Sequence, residues 1–446
     1  MLRSSIDWTL FSASDIRKTI RLFDKESEGV RDELGFLAVH QYFSDMFFPG
    51  TSVQHTRLRY MLFVPWALQH IIEHSDRKPV RQQLEKLEKR VTLNLIQDYQ
   101  QKEGIGIIGA NSYNHTPQIP PSLSYWSALK RWEVVKFDRA NTLDHVERRS
   151  RKQASDDDGD ILEDHHEALF NYNLPKCPGK LFDSTLVHTG RPKAAMFLLR
   201  KPEQRFVYKQ ISSLQPIDPY QEYSTQSKSL FALLANYIYC EDKKEQARRA
   251  TKLTEFQNCW DLTALSSELE LEETLITKLA VASQASSLCY IGRALYWATV
   301  ETLHNADKSI TPGEEGDETT RHQEKLKLVV QLEKTNALRF DIDEDMPSRF
   351  FAHAGNHNLR KVLKSTREWL LSDEPIDGER LRKSKFYPVF RDAEIRRKGN
   401  RSKLKIANKS NRKAANITKT PLAYPLNYRW TKAQQFLRDL VNQGER

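Results

Sequence analysis

The run FFPGTSVQHTRLRYMLFVPW, from Phe47 to Trp66, opens on a Pro49-Gly50 break and sets two arginines, Arg57 and Arg59, in otherwise apolar company. Read as a helix over 53–73, it is apolar on nearly every side, which places it at the centre of a helical domain. Pro65 lies inside it and predicts a kink near Met61. On such a helix Arg57 lines up with Met61, Val64 and Leu68, while Arg59 lines up with Phe63 and Trp66, so both are enclosed. The first turns of a helix disfavour cations and a buried charge needs a counter-charge. Internal pairing is therefore expected ahead of a phosphate site. Asp32, Glu33 and Asp45, just upstream, are the nearest candidates.

The surrounding chain reads as mainly α, with a few short strands. A helix is expected over 13–25 and another from about Leu34 to Phe48, both with apolar residues three and four apart. Residues 1–143 form an N-terminal helical domain. Its last part, PPSLSYWSALKRWEVVKF, suggests a winged-helix-like element near 120–140, with VVKF as the strand and Lys130 and Arg131 facing outward to nucleic acid. A polar linker follows at 144–174, where basic and acidic runs leave little to bury. A helical middle domain at 175–304 contains SLFALLANYIY and KLAVASQASSLCYIGRALYWATVETL. After an acidic insert at 305–320, the region 321–446 ends on PLNYRWTKAQQFLRDLV, whose Trp430, Ala433, Phe436, Leu437 and Leu440 share one face.

The 446 residues leave room for two or three domains, and the 8 Trp, 16 Tyr and 20 Phe dispersed along them exclude global disorder. The four cysteines are far apart without a CxxC pair, which suits reduced thiols in a cytoplasmic protein better than a disulfide framework or zinc site. No signal region and no membrane-spanning run is recognisable, so no membrane partner is expected.

Local motifs for catalysis are weak. GIGIIG, from Gly104 to Gly109, spells a dinucleotide fingerprint, but no strand precedes it and NSYNHTPQIPP cannot start the helix that such a site needs, so no cofactor is expected. The acids and histidines at 163–167, the acids at 156–158 and the DIDED run at 341–345 read as solvated charge rather than metal ligands. EDKKE, from Glu241, has nuclease residue types only. No nucleophile elbow, P-loop or HExxH motif is present, so a binding role is expected ahead of an enzymatic one.

The strongest charge signal is at 380–413, where 14 Lys or Arg face only Asp392 and Glu394, a surplus of 12 in a chain whose net charge is +10. Phe386, Tyr387 and Phe390 interleave with these cations, the composition of a strip that follows phosphates and stacks on bases. Arg396, Arg397, Lys398, Arg401, Lys403 and Lys405 are the expected phosphate contacts. A solvated helix is the plainer alternative, although the acids for ordinary i, i+4 pairing are nearly missing.

The blocks DELGFLAVHQYFSDMFFPGTSVQHTRLRYMLFVPW (Asp32 to Trp66), IGA (Ile108 to Ala110), PSLSYW-AL-RW (Pro121 to Trp132) and LNYRW (Leu426 to Trp430) resemble a bacterial domain-of-unknown-function family, number six-three-six-one. The resemblance implies a bacterial cytosolic protein encoded beside DNA-processing or antiviral defence genes, and it carries no catalytic residues. Together these readings lead to a DNA-binding component of such an assembly, with protein partners. The alternatives are a metal-dependent nuclease and a scaffold for an acidic partner protein.

Overall fold

The computed structural model describes residues 32–74, 78–99, 105–112, 119–154, 168–179, 181–182, 196–218, 228–310, 319–353 and 356–442. The helix expected over 13–25 and the acidic groups at 156–158 and 163–167 lie outside them. The fold is mainly α. Its first part comprises α1 (Leu37–Phe47), α2 (Tyr60–Glu73), α3 (Val80–Asp98), α4 (Pro121–Ser124), α5 (Trp126–Arg131) and α6 (Arg139–Ala154). Then come α7 (Lys201–Ser212), α8 (Leu230–Ile238), α9 (Lys243–Thr254), α10 (Glu273–Ile310) and α11 (Arg321–Leu338). The last part holds α12 (Ser348–Ala352), α13 (His357–Ser372), α14 (Gly378–Lys383), α15 (Phe386–Lys398), α16 (Lys409–Ala414) and α17 (Trp430–Leu440).

Helix α2 is enclosed as expected, with Tyr60 to Leu68 and Ile71 all buried between α3 and α6. It begins at Tyr60, however, and not at Val53. After Pro49, Gly50 takes φ +81°, and an added Cβ there would lie 2.7 Å from the Trp132 indole nitrogen. The irregular stretch that follows is stable inside the protein because side chains satisfy its backbone. The N–H groups of Thr56 and Arg57 donate to the Tyr125 hydroxyl at 2.8 and 3.0 Å, and that hydroxyl donates to the Arg57 carbonyl at 2.9 Å. Arg57 and Arg59 therefore precede the greasy helix instead of interrupting it.

Helix α10, 38 residues long, is the spine of the second half. It forms a hairpin with α11 and packs on α13, α14 and α16. Gly292, midway along it, faces Phe36: a Cβ would approach that ring to 2.6 Å, so the glycine lets the N-terminal segment reach the spine. The LNYRW block staples several elements together. Tyr428 donates its hydroxyl to Ala282 of α10 at 2.8 Å, Arg429 pairs with Asp45 of α1 at 2.7 Å, and Trp430 donates to the Phe256 carbonyl at 2.9 Å. The Trp430 ring also stacks 5.9 Å from Phe48.

The buried side chains form one continuous cluster from Leu34 to Val441, which crosses the boundaries drawn from composition. Those boundaries also fall inside helices, since α6 runs past residue 144 and α10 past residue 305. Leu359, Val362, Leu363 and Leu370 of α13 share a buried face, as do the five apolar residues of α17. The expected strand at VVKF is only an isolated antiparallel bridge between Val135 and Phe170, and α4 and α5 have four and six residues. The winged-helix reading of 120–140 is thereby corrected: Trp126 and Trp132 are drawn into the core, and the short helices stop at Trp132. No described helix is long and apolar enough to cross a membrane.

Candidate nucleic-acid interface

The internal partners of Arg57 and Arg59 differ from those nearest in sequence. Arg57 is held by Asp439 of α17: its Nε lies 3.1 and 3.0 Å from the two carboxylate oxygens and its Nη2 2.9 Å from Oδ1. Leu58 N–H and Gln435 Nε2 donate to the same carboxylate at 2.8 and 2.9 Å. The guanidinium lies 4.5 Å from the Phe197 ring centre and donates to the Ile105 carbonyl at 3.1 Å. Burial pushes the Asp439 carboxyl up while Arg57 draws it back down. Arg59 pairs with Glu203 of α7, Nε to Oε2 at 3.0 Å and Nη2 to Oε1 at 3.1 Å.

The glycine loop belongs to this arrangement. Gly106 (φ +88°) would place a Cβ 3.1 Å from Thr56 and 3.2 Å from Arg57. Ile108 N–H donates to Tyr60 at 2.9 Å. The loop closes over Arg57, and among the described residues it is followed by a three-residue turn, Ala110–Ser112.

Asp32, Glu33 and Asp45 meet the C-terminal region instead. Asp32 pairs with Arg397, Glu33 with Lys403 at 3.4 Å, and Asp45 with Arg429. The distances in sequence exceed 360 residues, so only the fold could reveal these pairs.

These contacts divide the basic strip. Arg380, Lys383, Arg391, Arg397, Lys403 and Arg412 are in ion pairs, and Phe386, Tyr387 and Phe390 are buried, so the aromatics serve the core and not base stacking. Two enclosed groups build the connection between α15 and α16. Glu394 accepts from the Tyr296 hydroxyl at 2.6 Å, the Ser402 hydroxyl at 2.7 Å, Lys403 N–H at 3.0 Å and Leu404 N–H at 2.8 Å. Arg412 pairs with Asp307 of α10 at 2.7 Å and donates to the carbonyls of Lys403, Lys405 and Ile406 at 2.7 to 2.8 Å. Asn408 and Asn411 donate to the Asn400 carbonyl at 3.1 and 2.7 Å.

The result is a small fixed knob. Arg396, Arg401, Lys405 and Lys409 are exposed on it and Lys398 is half-buried. No described acid pairs with Arg396, Lys405 or Lys409. Arg396, Arg397 and Lys398 also form the last turn of α15, where the helix dipole favours cations. Lys130 and Arg131 are exposed on α5, where Arg131 donates to the Gln215 carbonyl at 3.1 Å.

The acidic runs DIDED and EDKKE have structural employment. Asp343 of DIDED pairs with Arg360 at 2.7 Å and Lys364 at 2.6 Å. In EDKKE, Asp242 caps α9 through Lys244 N–H at 2.8 Å and Glu245 pairs with Arg248 and Arg249. Among the described residues no three His, Cys, Asp or Glu side chains converge as metal ligands would.

Asp439 and Glu394 were missed from sequence although a signal exists. Each is a lone acid in register with an apolar stripe, Asp439 three residues after Phe436 and Glu394 four after Phe390. The model of a family of unknown function, DUF6361, matches residues 3–252, more than half of the chain, and the chain belongs to that family. The match includes the first three blocks of the resemblance, and LNYRW lies beyond it. No curated protein and no solved structure matches the chain.

Proposed function

We propose that this member of DUF6361 binds nucleic acid, DNA in the first instance, through the outward cations of the knob between Arg396 and Lys413. The observation that carries the reading is that Arg396, Lys405 and Lys409 stand exposed and without a described acidic partner on a backbone fixed by Glu394 and Arg412. Cations placed on an ordered element need little further ordering to meet phosphates, and each contact releases counterions. Because the strip's aromatics are core residues, the contacts are to the backbone, where binding is indifferent to sequence. A place in a DNA-processing or defence assembly is part of the proposal and is supported by the resemblance alone.

The test is the variant R396E/K405E/K409E in a gel shift of duplex DNA across a salt series. The expected result is loss of the shift near 0.1 M salt, with the log–log salt slope reduced by about 0.9 for each lost contact. A variant that binds like the unmodified protein refutes the reading. Arg397 and Lys403 are poor choices for this test, because changing either removes the partner of Asp32 or Glu33.

A further inference from the structure

Beside the knob, residues 33–36, α10 and the segment 414–424 enclose a cleft of about 270 Å³. Glu33, Arg293, Tyr296, Trp297, Lys419 and Tyr424 are among the residues that line it. Its charges are not balanced. Glu33 is committed to Lys403, whose Nζ also lies 5.4 Å from the Trp297 ring centre. Arg293 is half-buried and has no described carboxylate partner. Its Nη1 donates to the Tyr424 carbonyl at 3.3 Å and its guanidinium lies 5.8 Å from that tyrosine's ring. Its Nη2 is shielded from solvent and has no hydrogen-bond partner among the described residues. Lys419 is exposed at the same cleft, also with no described acid beside it.

A guanidinium with one nitrogen shielded from water and no counter-charge beside it is unfavourable, and the usual remedy is an anion at the part of it that still faces the cleft. The buried Arg57, Arg59 and Arg412 have such a partner in Asp439, Glu203 and Asp307 respectively. Arg293 lines a cleft instead, whose lining also includes a second cation, Lys419, and the aromatic side chains of Tyr296, Trp297 and Tyr424. We infer that the cleft between α10 and residues 414–424 holds a phosphate group, carried by a mononucleotide or by the end of a nucleic-acid strand, between Arg293 and Lys419. The aromatic walls take the planar part of such a ligand. The phosphate site stands without the nucleic-acid reading, and only its supply by a strand end rests on that reading.

The experiment measures thermal stabilisation of the full chain and calorimetric binding with inorganic phosphate, with AMP, and with a short single strand bearing either a 5′-phosphate or a 5′-hydroxyl. Phosphate and AMP are expected to bind the unmodified protein. K419E and R293Q are each expected to weaken both by about tenfold or more, while R293K retains part of the affinity. R396E/K405E/K409E is expected to keep phosphate and AMP binding even where it loses duplex DNA, which separates the two proposals. A preference for the 5′-phosphorylated strand that K419E abolishes assigns the strand end as the source, and equal binding of both strands assigns the free nucleotide. Absence of binding by phosphate and AMP up to about 10 mM overturns the site. So does binding that K419E and R293Q, folded by circular dichroism, leave unchanged.

Discussion

Replacing Asp439 with Ala tests the central clamp. The Asp439 side chain is fully enclosed and neutralises Arg57, whose side chain is 5% exposed. Its loss strands the guanidinium and leaves the Leu58 N–H without its acceptor. Breaking a buried pair from one side costs about 3–5 kcal/mol, and an orphaned buried N–H about 1–3 kcal/mol. The two overlap, and Arg57 retains the Ile105 carbonyl and the Phe197 face, so a net loss of about 4 kcal/mol is expected. The double variant Arg57→Met/Asp439→Leu removes both charges and keeps apolar bulk beside Phe197 but still orphans the Leu58 N–H, so it is expected to lose about 1–3 kcal/mol, less than the single variant. Urea unfolding followed by tryptophan fluorescence provides the assay, since Trp66, Trp132 and Trp430 are all buried. A D439A variant within about 1 kcal/mol of the parent, or a double variant as unstable as the single one, refutes the reasoning.

Two further outcomes follow from enclosed polar groups. His55 is buried, which pushes its pKa down to about 3, and its ring accepts Ser52 N–H on Nδ1 at 3.2 Å while Nε2 meets the Ser124 carbonyl at 2.9 Å. The neutral Nε2–H tautomer satisfies both contacts, and a second proton on Nδ1 destroys one. Its folded pKa lies below the unfolded value of 6.5, so this contribution is complete above pH 6.5 and is lost as pH falls towards 3. His55→Gln should flatten the urea midpoint against pH in that window by up to one proton, and an unchanged slope would count against the assignment. Glu394→Ala should destabilise by about 3 kcal/mol or more, because it orphans the Tyr296 and Ser402 hydroxyls and two backbone N–H groups together. It should also weaken DNA binding without altering a cation. DNA affinity equal to the parent's would show that the knob's order is irrelevant to binding.

Helices with a repeating apolar face were legible in the sequence. The stripe Trp430, Ala433, Phe436, Leu437 and Leu440 and the enclosed run after Tyr60 need only local spacing, and both were found. The start of α2 was not legible, since its first residues gave up helix for contacts with Tyr125, nearly seventy residues later. The same limit governs charge. Spacing showed that Arg57 and Arg59 require counter-ions, but proximity in sequence selected Asp32, Glu33 and Asp45, which the fold assigns to other cations. In the basic strip, composition located the surplus charge, but which cations face outward depended on Glu33, Asp32 and Asp307 arriving from distant segments.

The pairing of Arg57 with a carboxylate 382 residues further on has a consequence for synthesis. A ribosome adds about 5–20 residues per second, so Arg57 waits roughly 20–75 s for its partner to be made. Until then the first helices hold an unneutralised guanidinium where the finished protein keeps water out, and they cannot close into their final packing. A nascent chain that stalls before α17 is thus marked by an open, cation-bearing seam that chaperones and proteases can reach. Synthesis of α17 and closure of the core become one event.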